Sequence, residues 1–143
     1  MHQFGVLAWK PGKAGEPRIL LITSRETKRW VVPRGNPMRG LAPHEAAAEE
    51  AWEEAGVRGN VPAEPLGTYR YMKVRKNGDV EAEVTLYPMR VAAKIEDWPE
   101  RAERKRRWFA PEEAAEAVHE EGLADLIRTA AAHFSREMRK RER

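Results

Sequence analysis

No cysteine occurs among the 143 residues. That absence removes a disulfide scaffold, a thiolate zinc site, an iron–sulfur cluster and a cysteine nucleophile together. Long apolar runs are missing too. Charged residues make up 34% of the chain and hydrophobic ones 41%, too polar a balance for a membrane protein and too apolar for an obligately disordered one. The first residues lack the basic start and apolar stretch of a secretory signal, so a cytoplasmic location and no membrane partner are expected. A strong net charge is lacking as well, at +3. Of 26 basic and 23 acidic residues, five and two fall within residues 135–143, which leaves the rest of the chain in balance. A short basic tail of this kind faces the negative end of a helix, and nucleic acid is not an expected partner.

One core is the default for a chain of this length. Phe4 to Trp9 and Arg18 to Thr23 read as strands around a Pro/Gly-rich loop. Trp30, Val31 and Val32 make a third strand that Pro33 ends. From Pro43 to Ala55 nothing interrupts a helix; Pro43 suits its first turn and Gly56 the left-handed position after its last. Residues 66–92 alternate around Asn77-Gly78 as a hairpin, with Val80, Ala82, Val84 and Leu86 on one face and Glu81, Glu83, Thr85 and Tyr87 on the other. Trp108-Phe109 is a last short strand, and helices follow from Pro111 and from about Leu123, the second with Leu123, Leu126, Ile127, Ala130, Ala131 and Phe134 on one stripe. The pattern predicts one α+β domain over residues 1–135, a mixed β-sheet sandwiched between helices, with a basic tail over 136–143.

The Pro43–Ala55 helix carries Glu45, Glu49, Glu50, Glu53 and Glu54 and no Lys or Arg. Its i, i+4 glutamates repel one another by a few tenths of a kcal/mol per pair. A solvated polar face is one reading. The other is that Glu50, Glu53 and Glu54 share a hard divalent cation, for which oxygen ligands suit magnesium or manganese. Just upstream, residues 23–39 hold Arg25, Lys28, Arg29, Arg34 and Arg39 against Glu26 alone, and Gly35 allows a tight turn. Basic groups for phosphate oxygens beside carboxylates for a metal are the two halves of a site that cleaves phosphoanhydrides.

These residues resemble the Nudix hydrolases, whose signature is GX5EX7REUXEEXGU with U a bulky apolar residue. With Gly35 as the first glycine, Glu50 takes the glutamate of the RE pair, Glu53 and Glu54 the EE pair, Gly56 the last glycine and Val57 the final U, a match of spacing over 23 residues. Trp30-Val-Val-Pro-Arg-Gly35 and Leu21-Ile-Thr-Ser-Arg25 are similar to the diphosphoinositol polyphosphate phosphohydrolase branch. Three positions depart from the signature: Leu41 stands at the early glutamate, Glu49 at the arginine and Ala51 at the first U.

The resemblance implies Mg²⁺, or Mn²⁺, held by Glu50, Glu53 and Glu54, with Glu53 or Glu54 accepting a proton from the attacking water. Arg25, Arg34, Gly35 and Arg39 would bind the substrate, the arginines because guanidinium matches phosphate bidentately, and Gly56 is structural. Arg70, Lys73, Arg75 and Lys76 are weaker phosphate candidates. The expected substrate is a phosphorylated small molecule with a phosphoanhydride, nucleoside-diphosphate-linked or polyphosphorylated, of the inositol pyrophosphate or dinucleoside polyphosphate type. A noncatalytic module that binds a phosphorylated ligand or a protein partner is the second reading, motivated by Glu49 and Leu41. Trp30 and Trp52 read as core residues, Glu81 and Glu83 as outward residues of a strand, and His44, His119 and His133 as surface residues outside any motif.

Overall fold

A computed structural model describes residues 1–141. Strand β1 (His2–Pro11) and strand β2 (Pro17–Thr23) form an antiparallel pair, with Ala8 opposite Leu20. Two short strands follow, β3 (Trp30–Val31) on β2 and β4 (Arg34–Gly35) on β1. Helix α1 (Pro43–Ala55) leads into β5 (Val57–Asn60), β6 (Gly67–Lys73) and the long β7 (Val80–Lys94); β8 (Arg106–Phe109), α2 (Pro111–Ala117) and α3 (Glu121–Arg141) complete the chain. The sheet runs β3-β2-β1-β7-β5, with β6 paired to β7 and β8 to β2. Strand β1 pairs in parallel with β7, where Phe4 lies opposite Thr85, and a single parallel bridge joins Trp30 to Val118. This is the expected α+β architecture, a mixed sheet between helices.

Helices cover both faces. One core joins Leu7, Ile19, Leu21, Val84, Leu86 and Phe109 to α2 and α3, while the other joins Val6, Leu20, Ile22, Tyr87 and Met89 to the alanines of α1. A strand buried on both sides need not alternate, and Val6 to Trp9 do not. The same effect corrects the hairpin pattern. Tyr87, expected on the outward face with Glu81 and Glu83, is buried, because β7 passes under α1 from that point. The hairpin connection also spans residues 74–79 rather than a two-residue turn, with Gly78 at φ 109°. Strand β5, which has no alternating signature, is held by antiparallel pairing to β7.

The expected stripe of α3 faces the core, and Met138 extends its buried side toward the carboxyl end. Of the basic tail expected over 136–143, residues 136–141 continue α3, and 142 and 143 lie outside the described residues. Trp30 meets Phe109 edge-on at 5.0 Å, and Trp52 is half-buried beneath Arg58, whose guanidinium lies 4.1 Å from the ring. No helix among the described residues is long and apolar enough to cross a membrane.

Candidate active site

Both ends of α1 are fixed by bonds to named groups. At the start Pro43 needs no amide donor, and Glu45 accepts a hydrogen bond from the Ala42 backbone at 2.8 Å. At the end the last carbonyls, which have no partner within the helix, are taken by Trp98 in the segment before β8 and by Arg106 at the start of β8. Trp98 Nε1 donates to the Glu54 carbonyl at 3.1 Å and Arg106 to that of Ala55 at 2.9 Å. Gly56 closes the helix at φ 66°, where a side chain would meet Trp98 and Arg106. The turn that carries Glu53 and Glu54 is thereby fixed to the sheet.

Packing also explains one departure from the signature. Ala51 is fully buried beside Ala47 and Ala55 against the sheet, where a bulky residue would hold the helix away. Leu41 is exposed on the loop before the helix.

The glutamate side chains meet the strands that precede the helix. Glu54 accepts the backbone N–H of Arg34 at 3.2 Å and pairs with Arg104 at 3.4 Å. Arg104 in turn donates to Glu100 at 2.8 Å and to the Thr23 carbonyl at 3.1 Å. Glu50 lies against Gly35, with its carboxyl in the space that a Cβ there would fill. Burial, then the charges of Glu54 and Glu53, push the Glu50 carboxyl up to about 8. Burial also raises Glu54, against the opposing pull of Arg104 and the Arg34 N–H. The interaction between the two acids raises Glu50 and lowers Glu54. Glu53 is the most open of the three, and it is raised by its slight burial and by Glu49 and Glu100.

Glu50 and Glu54 thus reach strand β4, and with Glu53 they do not form a ready-made cage. Among the described residues no three carboxylates or histidines stand together in a metal-holding geometry. In chemistry the donor set does fit a hard divalent cation. It consists of carboxylate oxygens, and burial together with the charges of Glu54 and Glu53 raises the Glu50 carboxyl, a penalty that a bound cation would relieve.

Beside the acids opens a cleft of about 630 Å³ that Glu54 lines together with Arg25, Arg29, Arg34, Arg70, Lys73 and Arg104. Arg34 is its anchored cation, with its side chain only 16% exposed. Its guanidinium lies 3.7 Å from the Tyr71 ring centroid, donates to the Tyr69 hydroxyl at 3.0 Å and stands 3.8 Å from Glu120. Burial pushes the Tyr69 phenol up to about 12, which keeps it neutral and able to accept that bond. Tyr71 donates to Gln3 at 2.6 Å.

Arg25 is exposed at the rim, 3.8 Å from Glu103. Arg39 is exposed on the loop before α1 and is not among the residues lining the cleft. Arg70 pairs with Glu81 at 3.4 Å and Glu83 at 3.3 Å, which accounts for those two acids. His119 lines the cleft.

Sequence reasoning missed Arg104, Glu100, Tyr69 and Tyr71. The two tyrosines alternate on one strand face, a signal that was available. Arg104 and Glu100 lie in a charged segment with no motif around them.

With the geometry established, the comparisons decide the family. The NUDIX domain model matches residues 1–130. The chain belongs to the NUDIX domain family. Among NUDIX relatives, Nudix hydrolase 12, mitochondrial, of Arabidopsis thaliana is 34% identical over 111 residues, 73% of this chain and 54% of that protein. Human diphosphoinositol polyphosphate phosphohydrolase 3-alpha is 34% identical over 120 residues, covering 78% of this chain and 70% of that one. The chain spans only about half to two-thirds of the length of the plant NUDIX proteins it matches. A solved binary complex of the C. elegans Ap4A hydrolase superposes with a TM-score of 0.69 over 94% of this chain and 97% of that one. At 18% identity that likeness shows the NUDIX fold alone.

Proposed function

We propose that this NUDIX domain hydrolyses a phosphoanhydride bond in a small, highly phosphorylated molecule, of the inositol pyrophosphate, dinucleoside polyphosphate or nucleoside-diphosphate-linked type. The observation that carries the reading is the contact between the two halves of the site: the Arg34 backbone binds Glu54 while the Arg34 side chain lies in the cleft. A polyanion seated on that cation has its phosphates beside the acidic turn. Relatives named as diphosphoinositol polyphosphate phosphohydrolases support the substrate class.

Glu50, Glu53 and Glu54 would hold Mg²⁺ or Mn²⁺. Such a cation supplies Lewis-acid neutralisation of the diphosphate oxygens. The chain's own groups do the rest. Arg34, held flat by Tyr71, binds a phosphate without reorganising, and Arg25, Arg29 and Lys73 take outer phosphates at the rim. Arg104 holds Glu54 in place. Of Glu50, Glu53 and Glu54 it is Glu54 that lines the cleft, and it accepts the proton as a water oxygen bonds to phosphorus and the bridging P–O bond breaks. A cytoplasmic location belongs to this reading, although several relatives are named as mitochondrial.

The test is phosphate or nucleotide release from a diphosphoinositol polyphosphate, diadenosine tetraphosphate and ADP-ribose with Mg²⁺. Native protein should turn over at least one of these, and Glu54→Gln should reduce kcat by roughly two orders of magnitude or more. Binding without Mg²⁺-dependent turnover of any of them would favour the noncatalytic module that Glu49 and Leu41 suggest.

A further inference from the structure

A second cavity, of about 520 Å³, opens between α3 and strands β1, β5 and β7 and shares no lining residue with the cleft. Its wall is Trp9, stacked on Phe134 with ring centroids 4.5 Å apart and planes 7° apart. Over the same indole lies Arg90 of β7, its guanidinium carbon 5.2 Å from the ring centroid. The other half-buried arginines end on acceptors: Arg34 on Tyr69, Arg104 on Glu100, Arg106 on the Ala55 carbonyl. Arg90 differs. Its Nη1 is buried with no acceptor among the described residues.

A buried donor without a partner is costly, and a guanidinium already oriented on an aromatic face loses little freedom when it binds an oxyanion. The cavity offers further groups of the right kind. Asn60 enters from β5, and His133 and Arg141 from α3. Glu137, the acid among the lining residues, stands 3.8 Å from Lys140, which offsets its charge. Pro88 and the Trp9 indole add apolar surface.

We propose that this cavity is a second binding site, for a compact oxyanion carried on a small aromatic or apolar group. The Arg90 guanidinium, oriented by Trp9, donates to the oxyanion while the apolar lining of Pro62, Pro88, Val91 and Ala92 takes the apolar body. A phosphate monoester and a carboxylate share that chemistry. The site does not depend on hydrolysis in the cleft, because no residue is common to the two.

Titration of the full chain in EDTA with phenyl phosphate, benzoate or inorganic phosphate, read by NMR at the Trp9 indole, Asn60 and His133, tests it. Saturable shifts at those three positions are expected with at least one of the two aromatic probes, and the tighter one identifies the preferred oxyanion. Inorganic phosphate should bind more weakly than that probe. Arg90→Gln should weaken binding roughly tenfold or more, and Arg90→Lys, which keeps the charge without the fork, should weaken it less. Three results would overturn the proposal: no saturation with any probe, shifts confined to the Arg34 and Tyr71 cleft, or native affinity in a folded Arg90→Gln or Arg90→Lys protein.

Discussion

The carboxyl group of Glu50 occupies the space where a side chain at Gly35 would begin. The two residues are separated by the loop and half of α1, yet the site requires one to lack what the other supplies. Gly35→Ala is therefore expected to displace Glu50 from Glu54. Overpacking of this kind costs about 1–3 kcal/mol. Chemical denaturation should show that loss, and Mg²⁺ affinity should fall with it.

Arg104 is the buried counterion of the acidic turn, with its side chain 7% exposed between Glu54 and Glu100. Arg104→Met leaves both acids without it. Breaking a buried pair from one side costs about 3–5 kcal/mol. Urea unfolding should register a loss of this size, and Mg²⁺ should restore part of it by supplying the missing positive charge.

The raised pKa of Glu50 has a defined sign in stability. The folded chain binds this proton more tightly than the unfolded one, so the stabilisation is complete below the ordinary value of 4.5 and is lost as pH rises toward about 8. Glu54 is raised and acts in the same sense. In EDTA the melting temperature should fall across that window, and Glu50→Gln should flatten the fall. Because proton and cation compete for the same oxygens, Mg²⁺ should raise the melting temperature more near pH 8 than near pH 6.

Glu49 adds charge beside Glu53, whose carboxyl it helps to raise. Glu49→Arg exchanges a repulsive i, i+4 neighbour for an attractive one. That exchange is worth roughly 0.4–1 kcal/mol, or about two- to fivefold in an equilibrium constant. NMR titration of the Glu53 carboxyl should show a lower pKa.

What could be read from the sequence was what is local along the chain. Helix α1 is framed by Pro43 and Gly56, and the register of its glutamates follows from 3.6 residues per turn, so Glu50, Glu53 and Glu54 could be named with their spacing. The contacts of Glu50 with Gly35 and of Glu54 with Arg34 could not, because they depend on side-chain directions and on strand β4 lying beside the helix. Arg104 was hidden for a related reason: its partners Glu54 and Thr23 are distant in sequence, and one arginine among Arg101, Arg104, Arg106 and Arg107 carries no mark of burial. Arg39 shows the converse case, since residue type favoured it for phosphate and the loop keeps it out of the cleft. Tyr87 was misplaced because alternation assumes one covered face, whereas α1 covers the second.

Joint binding of a divalent cation by Glu50, Glu53 and Glu54 can be read with paramagnetic Mn²⁺. Water proton relaxation and electron paramagnetic resonance should show saturable Mn²⁺ binding by native protein, displaced by Mg²⁺, weakened by each single Glu→Gln change and lost in the folded triple variant Glu50→Gln, Glu53→Gln, Glu54→Gln. A triple variant that keeps its fold and binds Mn²⁺ as tightly as the native chain would contradict it.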